Sequence, residues 1–136
     1  MIYLGIFSSN KERKISDKQA LYDAQWPDYV ITLETKNFNN FIQKYPLSVV
    51  DFWASWCAPC KVMAPRLRRL SKIYKGKVAF GKIDIQKNQD IARQYKISGI
   101  PHLVVFKNGK KTSSLTGVKS VGDIKDAIDV FLKNGN

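Results

Sequence analysis

Val49-Val50-Asp51-Phe52-Trp53-Ala54-Ser55-Trp56-Cys57-Ala58-Pro59-Cys60 is the stretch that decides the fold of this chain. It opens as a short apolar run and closes on a Cys-x-x-Cys that holds both cysteines of the protein. That order predicts a buried strand delivering two thiols to the start of a helix. The helix follows at once, because Met63, Leu67, Leu70 and Tyr74 are spaced for one face. Pro59 suits a first helical turn, where its missing N–H costs nothing. A helix N-terminus presents unpaired N–H groups and a partial positive charge, and both favour a thiolate. A free cysteine has a pKa of about 8.5, and this setting lowers it. The spacing puts both sulfurs on one helical face, close enough to bridge. Cys57 is expected to be the exposed attacking thiol. Cys60, one turn in, is expected to be buried and to resolve a mixed disulfide.

Asp51 interrupts a run that otherwise reads as buried on both faces. A buried carboxylate is costly to ionise, so its pKa should be raised. It is either a proton acceptor and donor for Cys60 or a structural acid held by hydrogen bonds.

Outward from this centre the pattern alternates strand and helix. Val30 to Leu33 reads as a strand, and Thr35 as the cap of a helix burying Phe38, Phe41 and Ile42 until Tyr45-Pro46. Leu47 to Ala54 is the central strand. The catalytic helix runs on from Lys61 to Lys75, with Pro65 inside it as a kink and Gly76 closing it. Val78 to Ile85 is another strand and Gln89 to Tyr95 a short helix. Leu103 to Phe106 and Lys110 to Leu115 are strands joined at Asn108-Gly109, a strong hairpin signal. Ser120 with Asp123 opens a last helix whose face is Val121, Ile124, Ile128 and Phe131. The class is α/β: the strand–helix alternation implies parallel strands, and the hairpin adds antiparallel ones.

The 136 residues allow one domain with a real core and a short appendage. No apolar run approaches the ~20 residues needed to span a membrane. Met1 to Phe7 is apolar but too short, and too poor in basic residues, for a secretory signal. Two cysteines confined to one motif suit a reducing cytoplasm and a catalytic pair. The net charge of +12 has two readings, an acidic partner such as nucleic acid or a solvated Lys-rich surface. Basic residues spread along the chain without a nucleic-acid motif, which favours the second. Arg66, Arg68, Arg69 and Lys72 nevertheless cluster on the catalytic helix, where they would bias docking towards acidic partners.

The active-site stretch through Lys61 resembles that of the thioredoxin family. The resemblance continues in Lys82-Ile83-Asp84-Ile85, Gly99-Ile100-Pro101-His102, Phe106-Lys107-Asn108-Gly109 and Gly117, and covers Tyr29 to Leu132 in the family's order. Departures are Ala58, where the common motif has glycine, and His102, where many members have threonine. The resemblance implies a thioredoxin fold: a mixed five-stranded sheet, three parallel strands plus an antiparallel hairpin, with helices on both faces. It implies proton transfer by Asp51, a tuning lysine at Lys82, and a cis Pro101 lying against the active-site disulfide. It implies a docking surface of Trp56, Gly99, Ile100, Pro101 and Gly117, where Ile100 offers its backbone to an extended substrate. Trp53 is read as packing beneath the site, and Gly99 and Gly117 as close-approach positions.

Residues 1–28 are expected to be an N-terminal extension before a domain at 29–136. In it, Ser16 to Gln19 resembles a capping box before a short helix through Ala20, Leu21 and Ala24, and Trp26 is a candidate anchor. His102, the only histidine, is expected to be a solvated neighbour of the cleft. With Cys57 and Cys60 it gives only three soft ligands, so no metal site is expected. No cofactor is expected beyond the redox pair itself, and no Gly-x-Gly-x-x-Gly offers a dinucleotide site. The expectation is a cytoplasmic, monomeric protein-disulfide reductase recharged by a thioredoxin reductase-type donor and acting on disulfide-containing proteins. Rivals are a disulfide oxidase or isomerase, and a non-catalytic binding module with a basic surface.

Overall fold

A computed structural model describes residues 26–133. In chain order the elements are β1 (Ile31–Leu33), α1 (Thr35–Lys44), β2 (Leu47–Trp53), α2 (Ala58–Ile73), β3 (Ala79–Asp84), α3 (Gln89–Gln94), β4 (His102–Lys107), β5 (Lys110–Thr116) and α4 (Val121–Lys133). The five strands form one sheet in the order β1-β3-β2-β4-β5. β1, β3 and β2 run parallel, while β4 lies antiparallel to β2 and β5 antiparallel to β4. This is the mixed sheet expected from the sequence.

Strand periodicity assigns the two faces. Val50, Phe52, Ile83, Val104 and Phe106 pack with Phe38, Phe41 and Ile42 of α1 and Ile91 of α3. The alternate residues Val49, Phe80, Leu103 and Val105 pack with Met63, Leu67 and Leu70 of α2 and with Ile124 and Ile128 of α4. β2 is therefore covered on both sides, which explains its nearly unbroken apolar sequence. Trp26 acts as the expected anchor: its ring centre lies 5.0 Å from that of Tyr45 at the edge of the α1-side core. The capping box and helix read at 16–24 lie outside the described residues.

The ends of the elements follow local chemistry. Glu34, not Thr35, caps α1; its N–H donates to Asn37 Oδ1 at 2.8 Å. Thr35 is drawn elsewhere, its N–H donating to Asn88 Oδ1 at 2.8 Å and its hydroxyl to Asp90 Oδ1 at 2.7 Å. Those bonds tie the start of α1 to the start of α3. Ser120 does cap α4, accepting from the Asp123 N–H at 3.0 Å. Asn108 and Gly109 both have positive φ, as a two-residue hairpin turn with the twist of its strands requires. Gly81 was not singled out in the sequence. It is forced by crowding, because a Cβ there would stand 2.6 Å from Leu33 Cδ1.

Candidate active site

β2 ends at Trp53, and Ala58 begins α2, so the chain turns directly from sheet centre to helix. Cys57 is the N-cap of that helix, and its sulfur accepts the Cys60 N–H at 3.2 Å. Pro59 occupies the first turn. The two cysteines are joined as a disulfide, with Cα atoms 5.3 Å apart. The expected exposure of Cys57 is not found: it is 3 % exposed and Cys60 2 %. Its sulfur is bonded to Cys60 and folded over the helix end, and Trp53 and Ile100 pack against the pair. What separates the two cysteines is surroundings, not burial. Cys57 sits at the positive end of α2, where a thiolate is stabilised. Cys60 faces a cavity of about 100 Å³ lined also by Asp51, Trp53, Lys61, Ala64 and Lys82.

Asp51 reaches that cavity because of strand alternation. It shares the α2 side of β2 with Val49, and it pairs in register with Lys82 of β3 and Leu103 of β4. The side chain is 4 % exposed, and its Oδ1 has no hydrogen-bond partner among the described residues. Burial pushes its pKa up from 3.8 to about 7, and the Lys82 charge pulls the other way. No described side chain or backbone group donates to Oδ1. Trp53 does pack against the disulfide and lines the same cavity, and its buried Nε1 has no hydrogen-bond partner among the described residues. Lys82 Nζ lies 5.6 Å from the centre of the Trp53 ring. Buried polar groups are normally satisfied, and a space of this volume has room for a water between Asp51 and Cys60.

The opposite wall comes from the loop before β4. The Ile100–Pro101 peptide is cis, Pro101 is buried, and its carbonyl accepts the Gly117 N–H at 2.8 Å. Ile100 has no backbone hydrogen bond among the described residues. Trp56 stands 65 % exposed beside the disulfide. Crowding within the described residues accounts for neither glycine. A Cβ at Gly117 would meet nothing within 4 Å, and the residue is needed for its φ of +91°. A Cβ at Gly99 would make only an ordinary 3.4 Å contact with Thr116 Cγ2.

His102 is not the solvated neighbour expected. It is half-buried on the α1 side, its ring centre 6.4 Å from that of Phe52 and its Nδ1 2.8 Å from Thr116 Oγ1. Burial lowers its pKa, with Lys111 adding to the effect. Among the described residues no cluster of three or more His, Cys, Asp or Glu side chains could hold a metal ion. No described helix is long and apolar enough to cross a membrane.

A mixed sheet, a helix capped by the first cysteine of a disulfide, a buried acid beneath the second and a cis-proline facing them form one constellation. The thioredoxin family model matches residues 29–130. The chain belongs to the thioredoxin family. It is 39% identical over 105 residues to a thioredoxin from Buchnera aphidicola, covering 76% of this chain and 96% of that one. It is 35% identical over 118 residues to a chloroplastic M-type thioredoxin from Spinacia oleracea, covering 87% of this chain but only 59% of the spinach protein. A solved mutant thioredoxin from Halobacterium salinarum superposes with a TM-score of 0.74 at 27% identity, over 78% of this chain and 93% of that one. Like its relatives, the chain is a thiol–disulfide oxidoreductase whose working group is the Cys57–Cys60 pair.

Proposed function

We propose that the chain reduces disulfides in other proteins, with Cys57 as nucleophile, Cys60 as resolving thiol and Asp51 as the proton-transfer group. The Cys57 thiolate attacks one sulfur of a target disulfide. A mixed disulfide forms, and the target's other sulfur leaves as a thiolate. Cys60 then gives its proton to Asp51 through the shared cavity and attacks the Cys57 sulfur. The second target sulfur departs, and Cys57–Cys60 becomes the disulfide that took the target's place. Two electrons have passed to the target, and a reductase-type donor protein must return them. Lys82 holds the Asp51 carboxylate closer to its ionised form. Trp56, Ile100 and Pro101 form the rim on which an extended substrate docks, and the open space over Gly117 leaves room for it.

The observation that carries this reading is the cavity shared by Cys60 and Asp51 on one side of a helix that Cys57 caps. The match beginning at residue 29 supports a thioredoxin domain at 29–136 after an extension at 1–28. Cytoplasmic residence, supported by the confinement of cysteine to one pair, and a monomeric state complete the proposal.

The test is insulin reduction under dithiothreitol, wild type against Cys57→Ser, together with the potential of the pair. Rapid precipitation by the wild type alone, with a potential near the about −270 mV of thioredoxin, supports a reductase. A potential near the about −120 mV of a strong oxidant would assign the chain to disulfide formation instead.

A further inference from the structure

Asp51 is reached from two sides. The small cavity leads to Cys60. A second cavity, of about 270 Å³, lies behind it between α2 and the segment before β1, and Asp51, Lys82, Arg68, Arg69 and Lys72 all line it. Its volume falls just below the about 300–1,000 Å³ that takes drug-sized ligands, so it suits a smaller occupant. Arg68 and Arg69 are exposed, and among the described residues neither guanidinium has an ion pair or hydrogen bond. Among the described residues Lys72 is held only through the backbone carbonyl of Asp28, at 3.5 Å. Besides Asp51, the one acid among the described residues of the lining is Asp28. Four cations around a concave space, two of them guanidinium forks without a partner, make a receptor for a compact oxyanion. The buried and unpartnered Asp51 Oδ1 belongs to the same walls.

We propose that this cavity binds a small phosphate-type anion through Arg68, Arg69 and Lys72, and that the bound charge slows thiol exchange by acting on Asp51. The effect on exchange rests on the function proposed above; the binding does not. A negative charge beside a carboxyl favours its protonated form. A smaller fraction of Asp51 is then ionised and free to take the Cys60 proton, and resolution of the mixed disulfide slows near neutrality. The coupling is reciprocal, so ionised Asp51 must weaken anion binding by the same factor. The other titratable groups facing Asp51 are Lys82 from β3, Cys60 and Lys61 from α2, and Asp28 and Tyr29 from the segment before β1. In the oxidised protein Cys60 does not titrate, and Asp51 is the one raised to about 7.

The experiment is a titration of the full-length oxidised protein with inorganic phosphate and with sulfate, followed by amide chemical shifts. Saturable shifts are expected at Tyr29, Arg68 and Ser71. Arg68→Ser with Arg69→Ser should weaken binding roughly tenfold. Lys110→Ser with Lys111→Ser removes the same charge from β5 and should leave it unchanged. Equal weakening in both double variants would mean unspecific attraction to a chain of net charge +12 and would overturn the site. Sulfate keeps its charge around neutrality, so its affinity should fall as pH rises through about 7 in the wild type and stay level in Asp51→Asn. A level wild-type profile would overturn the coupling. Should Asp51→Asn reduce insulin as fast as the wild type, the proton-transfer role fails, while the titration still decides the site.

Discussion

Replacing Asp51 with Asn should stabilise the oxidised protein, and only at the pH where the wild-type carboxylate must ionise inside the fold. Asp51 binds its proton more tightly in the native state, with a pKa of about 7 against 3.8 for a free carboxyl. Between those values the native state holds one more proton than the unfolded chain, so wild-type stability falls as pH rises. Below 3.8 both states are protonated and the effect vanishes; above about 7 it is complete. At 1.36 kcal/mol per pKa unit the full difference is about 4 kcal/mol. Other groups titrate too, but they cancel when the two proteins are compared at each pH. The assay is urea unfolding of wild type and Asp51→Asn across the acid-to-alkaline range, with m-values checked for two-state behaviour. The variant's advantage should grow from near zero in acid to its plateau above neutrality. An advantage independent of pH, or largest in acid, would refute burial as the cause of the raised pKa.

Three further outcomes follow from the same geometry. Cys60→Ser should accumulate a mixed disulfide with a target protein through Cys57, seen by non-reducing electrophoresis and peptide mass mapping; adducts formed instead through Cys60 in Cys57→Ser would reverse the two roles. Lys82 lowers the Asp51 pKa, so Lys82→Met should raise it and move the Asp51-dependent limb of the pH–rate profile for insulin reduction to higher pH; an unmoved or lowered limb would contradict that. Gly81→Ala should cost about 1–3 kcal/mol in urea unfolding, because its Cβ would press on Leu33 within a closed core.

The sheet was legible because its centre obeys simple periodicity. Residues 47–53 alternate between two helical layers, and an apolar strand covered on both sides has few other readings. Asn108-Gly109 fixed the hairpin through the one conformation that dipeptide favours. The cysteine motif placed the site, and the resemblance supplied the cis-proline, which no local pattern encodes. What the sequence hid depends on distant neighbours. Thr35 reads as a cap until Asn88 and Asp90, more than fifty residues on, take its hydrogen bonds. Gly81 looks ordinary until Leu33 is brought against it. Burial of Cys57 follows from its bond to Cys60 and from Ile100, a residue of another loop. The cavities beside Asp51 are gaps between elements, and a linear sequence has no term for a gap.

Asp51 shows how register couples stability to chemistry. On β2 only every second residue faces α2, and of these Asp51 alone carries a carboxyl. An apolar residue there would remove the ionisation cost worked out above, but it would leave Cys60 without a nearby proton acceptor. The size of that cost is set by the neighbouring strand. In the observed pairing Lys82 stands beside Asp51. A slip of one residue would put Gly81 or Ile83 there and turn the lysine to the α1 core. The partner cation would be lost, the carboxyl would be still harder to ionise, and an ammonium would be buried among Phe41 and Phe52. The apolar alternation that makes β3 fold in one register is thus also what holds the Asp51 pKa near neutrality, where a carboxyl both accepts and returns a proton.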